Sequence, residues 1–148
     1  MTAADCLFCR IIAGEVAAHI VHADDTVVAF LDHRPVFKGH TLIAPREHVV
    51  TMPELTPPLS AAVFGVAQRC AAAVVDGLGA QGSWVSVNNT VSQSIPHLHV
   101  HVVPRTKGDG LRGFFWPRQK YESDAEMAEY ATRLAAAIPA PPNHRNGG

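Results

Sequence analysis

The stretch Ile95-Pro96-His97-Leu98-His99-Val100-His101-Val102-Val103-Pro104 sets three histidines at alternate positions with an apolar residue between neighbours. An extended chain turns successive side chains to opposite faces. The pattern therefore predicts a strand with Leu98, Val100 and Val102 in a core and the three imidazoles on the other face, roughly 6.5–7 Å apart at Cα, lining a surface or cleft. An ordinary solvent-facing strand carries Thr, Lys or Glu at such positions more often than His. Pro96 has no ladder donor, so the strand is expected to start abruptly at His97.

The chain has 148 residues, 47% of them apolar, and a formal net charge of −1. These values suit one core-burying domain and give no electrostatic case for nucleic acid or a membrane surface as the main partner. No run approaches the roughly 20 apolar residues of a membrane span, and the start of the chain does not read as a signal peptide. Cys6 and Cys9 are too close and too early for a disulfide framework, and a spare Cys70 suits a reducing compartment, so a cytoplasmic protein is expected.

Residues 6–13 read as a short helical turn stopped at Gly14, with Leu7, Phe8 and Ile11 offering apolar surface. Ile20–Ala23 and Thr26–Leu31 flank a turn at Asp24-Asp25, and a third strand follows at His40–Ala44. From Pro57 or Leu59 to Leu78, apolar residues recur at helical spacing (Leu59, Val63, Val66, Ala67, Cys70, Val74), with Cys70 on the core face. Ser83–Asn88 alternates again and leads through the polar loop Asn89–Ser94 into the histidine strand. Short connections favour an antiparallel meander over a parallel sheet, whose crossovers need a dozen or more residues. Residues 105–121 mix glycine, cations and aromatics without a period and read as a mobile flap. Ser123-Asp-Ala-Glu126 matches a capping box for a closing helix to about Ala137. The expected organisation is one domain over 1–138 and a disordered tail over 139–148.

Two groups of residues carry chemistry. Cys6-x-x-Cys9 has the spacing of half a tetrahedral zinc site or of a redox pair, although no βαβ pattern surrounds it; chance spacing is the third reading. Zinc would need histidine for its other half, with His48 and one histidine of the triplet as candidates. The triplet itself suits either a catalytic metal or an imidazole nucleophile that attacks phosphorus. Gln93, Ser94 and the amides of the Asn89–Ser94 loop are donors at hand to stabilise charge. His19, His22, His33 and His144 read as solvated surface.

His97-Leu-His99-Val-His101-Val-Val resembles the signature of the histidine triad nucleotide hydrolases. The likeness extends through Cys6-Leu-Phe-Cys-Arg-Ile-Ile-Ala-Gly-Glu, Ala29-Phe-Leu-Asp32, Gly39-His-Thr-Leu-Ile-Ala-Pro45 with His48, Asn88, Gln93-Ser94 and Pro104-Arg105. It implies an α+β fold, a five-stranded antiparallel sheet with one long helix and a C-terminal helix, pairing as a two-fold homodimer. It implies hydrolysis at the α-phosphate of a nucleoside phosphoramidate or dinucleoside polyphosphate, with His99 as nucleophile, His101 at the phosphate or leaving group and His40 nearby. Asp32 would grip the ribose; Asn88, Gln93 and Ser94 would contact phosphate; Leu7, Phe8, Ile11 and Phe30 would form the slot for a purine base. In members that keep the CxxC, the resemblance implies a structural zinc on Cys6, Cys9, His48 and His97; magnesium is possible but not implied. The alternatives are a nucleotidyltransferase or phosphorylase of the same superfamily, against which His101 argues because transferases generally place Gln there, and a nucleotide-binding protein with incidental catalysis. The loop Asn89-Thr-Val-Ser92 departs from the family by being about two residues shorter and lacking glycine. The Phe114-Phe-Trp-Pro segment would either stack on a second nucleoside or pack on a partner.

Overall fold

Branched and aromatic residues separated by short polar turns build the sheet. β1 (Ile20–Ala23) and β2 (Val27–Leu31) meet at Asp24-Asp25, where the Asp24 carboxylate accepts the Thr26 and Val27 N–H groups at 2.8 Å each. β3 (Thr41–Pro45) pairs with β2, and β5 (Val100–Arg105) pairs with both β3 and β4 (Gly82–Val87). The computed structural model, which describes residues 5–111 and 119–141, thus contains a five-stranded antiparallel sheet in the order β1-β2-β3-β5-β4.

The simple meander is corrected. β5 inserts between β3 and β4 because α2 (Pro57–Leu78) lies between those two strands in the chain and carries it across the sheet. Its 22 residues span about 33 Å, enough to return the chain to the end from which β3 started. Thr56 Oγ1 accepts the Leu59 N–H at 3.4 Å at one end, and Gly79 at φ 71° closes the other. By length and composition α2 could cross a membrane, contrary to the reading that no run approaches a span. That hydropathy comes largely from its buried stripe, Leu59, Val63, Val66, Ala67, Cys70 and Val74, with an alanine-rich outer face adding to it.

The histidine strand also starts later than expected. Ladder pairing begins at Val100, opposite Ile43 and Val87, and His97 lies in a bend. The register continued backward would place Leu98 opposite Pro45, which has no N–H to give. The Leu98 N–H instead reaches the Val49 carbonyl at 2.6 Å, and the His97 N–H turns back to the Ile95 carbonyl at 2.8 Å.

Alternation divides the sheet into two faces. Val27, Ala29, Ile43, Val100 and Val102 pack with α2. Val28, Phe30, Leu42 and Ala44 pack with Cys6 and Phe8 at α1 (Leu7–Ile12), a six-residue helix ended at Gly14. His101 is the cross-strand partner of Leu42, so the histidine side chains belong to this second face.

The chain divides into two units, Met1–Asp109 and Gly110–Gly148. The second contains α3 (Asp124–Ala137), whose start corrects the expected capping box by one residue. Ser123 Oγ accepts the Glu126 N–H at 3.1 Å, but the Glu126 carboxylate accepts the N–H of Glu122, at 2.6 Å. The aromatic part of the expected flap and most of the expected tail lie outside the described residues.

Gly39, next to His40, has φ +98°, and an added Cβ would meet Pro104 Cγ at 3.2 Å and the tip of Leu78. The leucine tip can move but the backbone cannot. Gly39→Ala is expected to cost about 1–2 kcal/mol in urea unfolding; unchanged stability would contradict this account.

Candidate active site and metal cluster

Cys6 and Cys9 stand at either end of the first turn of α1, and His48 and His97 come to them from the ends of β3 and the β4–β5 connection. Cys9 Sγ lies 3.2 Å from His48 Nδ1, and His97 Nδ1 lies 3.5 Å from both sulfurs. All four ligand atoms fall within 4.8 Å of one another. Tetrahedral zinc, with bonds of about 2.3 Å to sulfur and 2.0–2.1 Å to nitrogen, separates neighbouring donors by roughly 3.3–3.8 Å, so the four groups fit such an ion. His97 is fully buried, and its Nε2–H donates to the Pro45 carbonyl at 2.8 Å. That bond leaves Nδ1 as the lone-pair nitrogen facing the thiols, the tautomer a ligand needs. Burial first, then the neighbouring Cys6 thiol, pushes the Cys9 thiol up to about 11. A divalent cation reverses that logic by favouring the thiolate.

The adjoining histidines are set by the same kind of backbone contact. His99 Nδ1–H donates to the His97 carbonyl at 2.7 Å, which makes Nε2 its lone-pair nitrogen. The Val36 N–H donates to His40 Nδ1 at 3.2 Å, so the His40 proton is on Nε2, from which it is given to His101 Nδ1 at 2.9 Å. The His101 proton must then be on Nε2. That atom is buried and has no hydrogen-bond partner among the described residues. The His99 and His101 rings lie 4.8 Å apart, so an unspent donor stands beside an unspent lone pair.

Asp32 approaches from the end of β2, with one carboxylate oxygen accepting the Arg34 N–H at 2.8 Å and the other 3.7 Å from His40 Nδ1. Phe8 packs edge-on against His99 (5.0 Å between centroids) and Phe30 (5.2 Å). Leu7 and Ile11 are half-buried beside them. The fold therefore gathers Asp32, His40, His99, His101, Phe8, Phe30, Leu7 and Ile11 on one face. Asn88 follows β4 half-buried and Ser94 is exposed. Gln93 bridges its own loop and the segment after His48: Oε1 accepts the Thr90 N–H at 3.0 Å and Nε2 donates to the Val50 carbonyl at 2.6 Å. The groups that sequence reasoning missed are the carbonyls of Pro45 and His97 and the amide of Val36. Every residue has such groups, so residue identity holds no signal of them. His33 is on the surface, and His22 pairs with Asp24 at 2.8 Å.

Burial, aided by the neighbouring His99 and His40 rings, pushes His101 down to about 4. Burial also lowers His40 and His99, partly opposed at His40 by the Asp32 carboxylate and at His99 by the His97 carbonyl and Asp32. These rings are neutral at pH 7.

A family-wide sequence profile described as the HIT domain matches residues 13–108. "Protein hit" of Bacillus subtilis (strain 168) is 39% identical over 139 residues, 92% of this chain and 93% of that protein. "Adenosine 5'-monophosphoramidase hnt1" of Schizosaccharomyces pombe is 30% identical, covering 76% of this chain and 83% of its own. "Adenylylsulfatase HINT3" of Arabidopsis thaliana is 36% identical over 72% of this chain and 55% of its own length. Among solved structures, a HIT family protein from Bacillus subtilis superposes with a TM-score of 0.81 at 30% identity, over 92% of this chain and 99% of that one. A "ZN-bound histidine triad family protein" from Mycobacterium smegmatis superposes with a TM-score of 0.71 at 32% identity, over 93% of this chain and all of its own (100%).

An imidazole held neutral in the fold but free to protonate when unfolded makes the unfolded state bind more protons as pH falls. Stability is therefore complete above about pH 6.5 and declines toward pH 4. His101 alone accounts for about 2 kcal/mol of loss at pH 5 on its value of about 4. Thermal unfolding at pH 5 is expected several degrees below that at pH 7, with a shallower decline for His101→Gln. A melting temperature flat across this range would contradict the buried neutral pair.

Proposed function

The chain belongs to the HIT domain family, and from that premise we propose that it is a nucleotide hydrolase cleaving at the α-phosphate of a nucleoside phosphoramidate or dinucleoside polyphosphate through a nucleotidyl-His99 intermediate. The observation that carries this reading is the pair of oppositely set rings. His99 spends its Nδ1–H on the His97 carbonyl and keeps the Nε2 lone pair, while His101 keeps a buried Nε2–H beside it that has no partner among the described residues. A nucleophile needs the first and a developing phosphoryl charge needs the second. The relatives named for adenosine monophosphoramidase and adenylylsulfatase activities support the substrate class.

In this reading His99 Nε2 attacks the α-phosphorus, forming an N–P bond as the bond from phosphorus to the leaving group breaks and the leaving group departs with its electron pair. His101 Nε2–H donates to a phosphoryl oxygen, and His40 holds that proton on Nε2 by occupying His101 Nδ1. The departing group takes up a proton from solvent; water then attacks the adduct phosphorus and returns a proton to solvent, the N–P electron pair goes back to His99 Nε2, and nucleoside monophosphate is released with His99 restored. Asp32 binds the ribose hydroxyls, Leu7, Phe8, Ile11 and Phe30 line the base, and Asn88 and Ser94 attend the phosphate. Cys6, Cys9, His48 and His97 would hold a structural zinc, whose charge would keep both thiols as thiolates. The reading includes a two-fold homodimer in the cytoplasm.

His99→Ala is expected to reduce turnover of adenosine phosphoramidate or diadenosine polyphosphate by at least about 10³-fold and to abolish the acid-labile adduct trapped by quenching wild type with labelled substrate. Normal turnover by that variant sinks the mechanism. Metal analysis of purified protein is expected to find one zinc per chain, lost in Cys9→Ser and kept in His99→Ala; loss in His99→Ala would instead indicate a catalytic metal.

A further inference from the structure

The loop between β4 and the histidines contains Thr90 at φ 66° and Ser92 at φ 60°, the only non-glycine residues with positive φ among the described residues. The left-handed region is uncommon for any side chain and a real outlier for a β-branched one, so this conformation must be imposed by its surroundings. Three bonds impose it. The Met52 N–H donates to Asn89 Oδ1 at 2.7 Å, the Thr90 N–H donates to Gln93 Oε1, and Gln93 Nε2 donates to the Val50 carbonyl. The partners decide which way the Gln93 amide points, since a donor faces one end and an acceptor the other. The loop is thereby tied to the segment that follows His48, and it leads directly to Ser94 and the histidines.

We propose that Gln93 is a positioning residue that holds the 89–94 loop in its strained form and so presents Ser94 and the loop backbone to the substrate phosphate, without itself touching the nucleotide. The proposal rests on the nucleotide-hydrolase reading for what the loop is held ready to bind. It accounts for a loop without glycine: Thr90 and Ser92 take left-handed positions that glycine adopts freely, and the Gln93 carboxamide supplies what glycine would have made unnecessary.

A brace acts on the fraction of molecules whose loop is competent, so its loss weakens apparent affinity by that fraction and leaves the saturated rate alone. Gln93→Ala is expected to raise KM for adenosine phosphoramidate and Kd for adenosine monophosphate about tenfold, with kcat changed less than about threefold. Adding Thr90→Gly and Ser92→Gly to Gln93→Ala is expected to recover most of the lost affinity, because glycine removes the strain that needed the brace. Gln93→Glu keeps an acceptor for Thr90 but sets a carboxylate oxygen against the Val50 carbonyl, and is expected to behave like Gln93→Ala even if the latter folds poorly. Failure of the glycines to restore affinity overturns the proposal in favour of direct contact between Gln93 and the nucleotide, as does a fall in kcat at unchanged KM. Amide exchange at Thr90 reports on the brace independently of any nucleotide. If wild type neither binds nor hydrolyses these nucleotides, the hydrolase reading fails. In that case faster Thr90 exchange in Gln93→Ala still supports the brace, and unchanged exchange overturns it.

Discussion

His97 is the residue on which the rest of the site depends, because it bonds in three directions from a position with no solvent exposure. Its Nε2–H is tied to the end of β3 at Pro45, its Nδ1 faces the thiols of Cys6 and Cys9, and its carbonyl accepts Nδ1–H from His99. A buried polar group must be satisfied or it costs free energy. Satisfying this one joins α1, β3 and the entry to β5 at a single point, so the group that fits a metal and the group that fits a phosphate share one residue's backbone and ring.

The consequence runs along the histidines as a chain of assigned protons. Each ring has one nitrogen committed to a neighbour, and the commitment determines what the other nitrogen can do: face sulfur at His97, offer a lone pair at His99, offer a proton at His101. Burial supports the arrangement by keeping the rings neutral, since in a low-dielectric setting adjacent cations would repel. Phe8 contributes by packing against both His97 and His99, and it does so from between the two cysteines of α1. Closing the cluster and covering His99 are therefore done by the same short helix.

The alternation of His and apolar residues was enough to separate the two faces, and the helical spacing from Leu59 to Val74 was enough to locate α2 and its buried stripe. Turn chemistry at Asp24 and Gly14 was equally legible, since it depends on neighbours in sequence. The strand order was not, because nothing local says that a long crossover skips a place in the sheet. The start of β5 was misread for a related reason: pairing at Leu98 is decided by Pro45, more than fifty residues earlier, and not by Pro96 alone. Gln93 shows the same limit, for its residue type suits a phosphate donor, and only the fold shows that its carboxamide also bonds to Thr90 and Val50.

By itself the sequence determined which residues could carry chemistry: a thiol pair at ligand spacing, alternating imidazoles, an upstream carboxylate and histidine, and the apolar residues to bury them. Those are properties of side-chain type and local period. The tertiary structure alone decided which nitrogen of each ring bears its proton, because that choice is made by the carbonyls of Pro45 and His97 and the amide of Val36. Backbone carbonyls occur in every residue and amides in every residue but proline, and only the fold determines which of them a given imidazole meets.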